Sequence, residues 1–133
     1  MARKWTKTEA FAHFGVSLAN VRWSWSGRTA DGTTVVLALW SDRFTRKTSP
    51  MRYEGFRAEA NEKWLARPGN RERLDNLIWA QTHCNGLFRV VMVTPKDAQS
   101  DPREIADAFP KSEMVMRITE LDERTGEFRA ELV

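Results

Sequence analysis

The chain is expected to be an α+β domain, built on a curved, mostly antiparallel sheet or small open barrel with about three short helices. Three observations predict this. Short runs of alternating apolar and polar residues recur between Gly, Pro, Asn and Asp, as strands with one wet face require. Between them lie capped segments with apolar residues at helical spacing. No strand–helix–strand rhythm repeats and no Gly-rich loop follows the first strand, which argues against a parallel doubly wound sheet. With 133 residues, 41% hydrophobic and 29% charged, the sequence predicts one domain over 1–133.

Thr6-x-x-Glu9 is a capping box, with Phe11 and Phe14 behind it on one face, so a short helix is expected over 7–13, ended by Gly15. A strand follows over 21–26. Ala30-Asp31-Gly32-Thr33 signals a turn, and a second strand over 33–40 should pair with the first as a hairpin. Residues 41–69 are irregular, basic and aromatic, holding Pro50, Gly55, Pro68 and Gly69 among Phe44, Tyr53, Phe56 and Trp64. A helix is predicted to start after Asn70 and to end near Asn85-Gly86. Leu87 to Thr94 reads as a strand, apolar on both faces and therefore central in the sheet. Asp101-Pro102-Arg103-Glu104 is a second capping box, predicting a third helix with Ile105, Ala108 and Phe109 on its apolar face and Pro110 at its close. The chain ends in a hairpin, 114–121 and 127–132, around Asp122-Glu123-Arg124-Thr125-Gly126.

Composition narrows the function classes. The longest apolar run, Val35 to Trp40, falls well short of the ~20 residues of a membrane helix. Met1-Ala2-Arg3-Lys4-Trp5 has no apolar stretch behind it, so no secretory signal is expected, and the lone Cys84 forms no internal disulfide. A reducing cytoplasm is the expected compartment, with no membrane partner. Net charge is +3, concentrated in residues 43–73, whereas the last third is rich in acids. A basic middle segment fits a polyanionic partner.

Six tryptophans stand out: Trp5, Trp23, Trp25, Trp40, Trp64 and Trp79. On a strand, Trp23 and Trp25 share a face and Arg22, Ser24 and Ser26 take the other. Indoles so placed either fill a core or wall a pocket, with Trp40, Tyr53 or Trp64, that stacks a base. Asp42, just past Trp40, is placed to accept from an exocyclic amine, and Asp31 is read as turn chemistry. Phosphate contacts are expected from Arg43, Arg46, Lys47, Arg67, Arg71 and Arg73, the last three flanking a helix start where free N–H groups gather. His83, Cys84 and Asn85 are consecutive, so their side chains diverge on a helix; they read as a buried thiol and a helix C-cap rather than a thiol catalyst. No metal-binding spacing is present, and Glu59 with Glu62-Lys63 is only a chance-level match to a nuclease order. No cofactor is expected.

The aromatic strand Arg22-Trp23-Ser24-Trp25-Ser26, the strand Gly86-Leu87-Phe88-Arg89-Val90-Val91-Met92-Val93 and the closing run Gly126-Glu127-Phe128-Arg129-Ala130-Glu131-Leu132 resemble the PUA-like group of small barrels, which includes EVE, ASCH, YTH and SRA-type nucleic-acid readers. The resemblance covers under a third of the chain and implies base recognition in a barrel-side pocket. Unlike the EVE pattern, this chain opens with a helix, so no residue role is carried over from it. The leading expectation is a non-catalytic domain binding DNA or RNA, with an aromatic pocket for a base, modified or not, and a basic surface for phosphates. The alternatives are a small metal-dependent nuclease or other hydrolase, and a protein-interaction module or homo-oligomer, a homodimer among the partners considered, with exposed tryptophans as anchors.

Overall fold

The structure, a computed structural model, describes residues 5–20, 24–45, 51–54, 68–97 and 105–133. Its elements run α1 (Lys7–His13), β1 (Ser26–Arg28), β2 (Val35–Trp40), a 3-10 turn (Ser41–Arg43), β3 (Phe44–Thr45), β4 (Arg52–Glu54), α2 (Pro68–His83), β5 (Leu87–Pro95), β6 (Ile105–Asp122) and β7 (Glu127–Leu132). The strands form one mixed seven-stranded sheet in the order β1-β2-β5-β6-β7-β4-β3. Every pairing is antiparallel except β2 with β5, which is parallel. Among the described residues β1 and β3 are the free ends of the order, so the sheet is open and does not close into a barrel.

Local chemistry sets the element ends. Thr6 and Glu9 cap α1 reciprocally, hydroxyl to N–H at 3.2 Å and carboxylate to N–H at 3.1 Å. Gly15, at φ +80, then turns the chain. Asp31 ties the β1–β2 turn by accepting from the Thr29 hydroxyl (2.6 Å), the Thr33 amide (3.1 Å) and the Thr33 hydroxyl (2.8 Å). These bonds favour its charged form and hold its pKa below the ordinary aspartate value. At the end of α2, Asn85 (φ 57) and Gly86 (φ 77) take the left-handed conformation of a C-cap.

Alternation along β2 and β5 gives the sheet two dry faces there. Val35, Leu37, Leu39, Val90 and Met92 pack with Leu77 and Ala80 of α2 on one face. Val36, Ala38, Val91 and Val93 pack with Ala10 and Phe11 of α1 on the other. Both faces of β5 are covered and neighbours flank it on both sides, as its unbroken apolar run predicts. Past the first residues of β6, where Ile105 and Ala108 still join that cluster, the α1-side face is wet and carries ion pairs: Arg129 with Glu54 (2.7 Å) and Glu120 (2.7 Å), and Arg52 with Glu131 (3.0 Å).

Two expectations are corrected. Among the described residues there are two α-helices, not three, because residues 105–110 belong to β6 and pair with β5, Phe109 opposite Met92 and Ala108 opposite Val93. The capping box at 101–104 lies outside the described residues. Ile105 and Ala108 mimic helical spacing because the register shifts between Thr94 and Pro95 of β5, whose partners are Asp107 and Ile105. One extra residue on β6 lets positions three apart join the same cluster. Pro110, which has no N–H to give, sits next to a second irregularity, where Arg89 pairs with Val115 but Val90 with Lys111. The second correction concerns α2, which starts at Pro68 rather than after Asn70. Asn70 instead donates to the Thr125 carbonyl at 3.0 Å and accepts from Arg73 at 3.2 Å, tying the first turns of the helix to the β6–β7 turn.

Candidate functional site at the edge of the sheet

The β1–β2 edge carries the most chemically loaded cluster among the described residues. Strand alternation places Trp40 on the α1 side with Val36 and Ala38. Trp25 lies one residue before β1, and its carbonyl accepts from the Ala38 amide at 2.8 Å, which extends the pairing and brings its indole to the same side. The two rings stand 5.5 Å apart, tilted by 44°, and both are partly exposed. On α1, Lys7, Ala10 and Phe11 fall at i, i+3 and i+4, so Lys7 shares the buried stripe. Only 9% of Lys7 is exposed, and its Nζ sits 4.5 Å from the Trp25 ring centre. Burial pushes the Lys7 pKa down, and the negative charge of Glu72 acts against that shift.

The opposite side of the same segment is polar. Ser24 and Ser26, two apart, are both buried and face α2, where Glu72 and Asn76, four apart, share a helix face. Asn76 donates to the Ser26 hydroxyl at 2.8 Å. The Ser24 hydroxyl accepts from the Asn20 amide at 3.0 Å and is bonded to the Glu72 carboxylate. Glu72 Oε1 is buried without a hydrogen-bond partner. Its pKa is raised, first by burial, and this is opposed by the Ser24 bond and the Lys7 charge and reinforced by Asp75.

The other expected site residues scatter. Asp42, exposed, and Arg43 lie in the 3-10 turn directly after Trp40, and Arg43 Nε is buried with no hydrogen-bond partner. Tyr53 is not with the indoles: it packs in the α2-side core between Phe44 (5.1 Å) and Phe128 (5.4 Å). Arg71 is exposed on the first turn of α2. Arg73 is held in place by the Gly126 carbonyl (3.4 Å) and lies over Phe128 (5.4 Å). Trp23, Trp64, Arg46, Lys47 and Arg67, with Glu59, Glu62 and Lys63, lie outside the described residues.

The segment 79–85 serves packing. Trp79 donates from Nε1 to the Gly32 carbonyl at 2.9 Å, stacks on His83 at 3.7 Å and lies under the Arg28 guanidinium at 4.1 Å. Cys84 Sγ points to the Gly32 and Thr33 carbonyls, and burial raises its pKa, away from the thiolate that thiol chemistry needs. The helix end is thereby docked on the β1–β2 turn.

Among the described residues no group of three His, Cys, Asp or Glu side chains is disposed to hold a metal, and no helix is long and apolar enough to cross a membrane. A shallow open depression lined by residues 120–124 of the β6–β7 turn contains none of the expected site residues. Sequence reasoning missed Lys7 and Glu72. The available signals were a lysine on the apolar stripe of a short helix and two polar pairs, Ser24/Ser26 and Glu72/Asn76, whose spacings match a strand and a helix face. Comparison of the chain with protein-family models, with curated proteins and with solved structures found no match.

Proposed function

We propose that this chain is a non-catalytic nucleic-acid-binding domain whose base-holding surface is the Trp25–Trp40 pair. The observation that carries this reading is two partly exposed indoles, 5.5 Å apart on one side of an open sheet edge, with a lysine ammonium against one of them. An indole face stacks any base, contributing ~1–3 kcal/mol per base. Two of the expected phosphate-binding residues lie close in sequence to residues of this cluster: Arg43 three residues beyond Trp40, and Arg71, exposed, next to Glu72 on α2. Phosphate contacts of this kind position a strand, and pocket contacts select its bases. Arg46, Lys47 and Arg67, with Trp23 and Trp64, belong to the proposal on sequence grounds alone. The PUA-like resemblance supports base recognition as the chemistry, while the open sheet departs from a closed barrel.

The test is anisotropy titration of labelled single- and double-stranded DNA and RNA at several salt concentrations. The expected result is binding that weakens as salt rises, with Arg71→Ala reducing the slope of log K against log salt by about 0.7–0.9, one phosphate's worth of released counterions. Absence of binding to all four ligands at low salt, where attraction between charges is least screened, overturns the proposal and leaves the protein-interaction reading.

A further inference from the structure

We propose that the Trp25–Trp40 pair is an open stacking platform rather than a clamp around a flipped base, and that its ligand is therefore single-stranded nucleic acid, read with little regard to base modification; this rests on the nucleic-acid reading. Three observations carry it. The two ring centres stand 5.5 Å apart, with the rings tilted by 44°. A base sandwiched between two indoles needs them near parallel and about 6.8 Å apart, twice the ~3.4 Å spacing of stacked bases. The pair is closer than that and splayed, so no base enters between these two rings. Both indoles are also held against widening. The Trp25 carbonyl accepts from the Ala38 amide at 2.8 Å, Trp40 pairs with Val93 of β5, and both side chains pack against the α1-side cluster. The third observation is the Lys7 ammonium, 4.5 Å from the centre of the Trp25 ring, which takes up ring surface that a clamp would offer to a base. What is left to a ligand is the solvent side of two partly exposed rings near the open end of the sheet.

The choice of ligand follows from which faces of a base are free. In a duplex each base is covered above and below by its neighbours, and only its edges reach the grooves. Extruding a paired base costs about as much as one stacking contact returns, so a platform that holds the base on one side gains nothing from a duplex. A single strand presents its base faces without that cost. A platform touches the face of the ring and does not enclose its edge, so a small substituent such as the 5-methyl group of methylcytosine meets no wall that would select or reject it. What base preference remains follows stacking strength, a modest effect.

The probes are a sixteen-nucleotide single strand with one central cytosine, the same strand with 5-methylcytosine there, and the first strand annealed to its complement. They are titrated by anisotropy at about 0.2 M salt, where the denser phosphate charge of the duplex is largely screened. The wild type is expected to bind the single strand roughly tenfold tighter than the duplex, the size of one stacked base, and the two single strands within about twofold of each other. Trp40→Phe keeps a flat ring and should retain the preference for the single strand. Trp40→Ala, shown to be folded by its melt, should lose it, because the phosphate contacts that remain do not depend on free base faces. A duplex bound as tightly as the single strand, a preference of about tenfold or more for 5-methylcytosine, or a single-strand preference that survives in Trp40→Ala or is lost in Trp40→Phe, overturns this inference and leaves the nucleic-acid reading standing. No binding of any probe, at this or at lower salt, overturns both.

Discussion

Lys7 occupies a position that the spacing of α1 assigns to an apolar side chain, with Ala10 and Phe11 completing the stripe. Two effects oppose each other there. Contact with the Trp25 face is worth ~0.5–2 kcal/mol, and taking an unpaired ammonium out of water costs several kcal/mol. Desolvation wins, which is why the Lys7 pKa falls below its ordinary 10.5. A lowered folded-state pKa means that the unfolded chain holds the proton more tightly. Stability therefore rises with pH through the interval between the folded value and 10.5. Lys7→Met keeps the length of the side chain and removes the charge. The variant is expected to be more stable than the wild type by about 1 kcal/mol at pH 7, with the advantage closing as pH approaches 10.5. Urea unfolding at a series of pH values measures this, and a variant destabilised at pH 7 contradicts it. Such a result would mean that the contact of Lys7 with the Trp25 ring outweighs the cost of burying its charge.

At the scale of elements, the β1–β2 turn and the end of α2 form one joint. Gly32 has φ +72, and a Cβ there would stand 2.8 Å from Trp79 Cζ2. Gly32→Ala meets both the backbone penalty and the ring, which is itself fixed by its bond to the Gly32 carbonyl. A loss of about 2 kcal/mol is expected, more than the ~1 kcal/mol of backbone strain alone, measured by thermal unfolding. A loss below about 0.5 kcal/mol would show that Trp79 moves freely. The elements legible in the sequence are those whose signals are local. The capping box at Thr6 and Glu9, the Asp31 turn, the Asn85-Gly86 cap and the closing hairpin are each written in a few adjacent residues. Residues 105–110 were illegible because their spacing comes from a bulge imposed by pairing with β5, a long-range cause. The parallel β2–β5 pairing was hidden for the same reason, since nothing in either strand names its neighbour. The candidate residues divided likewise: Trp25 and Trp40 announce themselves by residue type, but Lys7 and Glu72 gain meaning only once α1 and α2 are packed on the two faces of the β1–β2 edge.

At the scale of the molecule, one sheet serves two cores, and β5 holds them together. Val91 is fully buried on the α1 face, between β2 and β6. Val91→Asp puts a charge there with no partner, so a loss above about 4 kcal/mol is expected, which is a large part of the stability of a domain this size. The protein should express insolubly or show no cooperative melt; a soluble, cooperatively melting variant would remove β5 from the centre of the account. The wet face of β6, β7 and β4 behaves differently. Its ion pairs are exposed, and substituting Arg129 by Ala is expected to shift stability by less than about 1 kcal/mol despite its two carboxylate partners. A division of labour follows: β5 and the two helices carry stability, and the proposed function assigns recognition to the β1–β2 edge.

The central claim is that recognition resides in the indole pair at that edge, and titration of a single-stranded oligonucleotide with wild type, Trp25→Ala and Trp40→Ala, each shown to be folded by its melt, tests it most directly. The account expects wild-type binding, a loss of about five- to hundredfold in affinity for each variant from lost base stacking, and a salt dependence that stays the same in all three. Folded variants that bind as tightly as the wild type would contradict it.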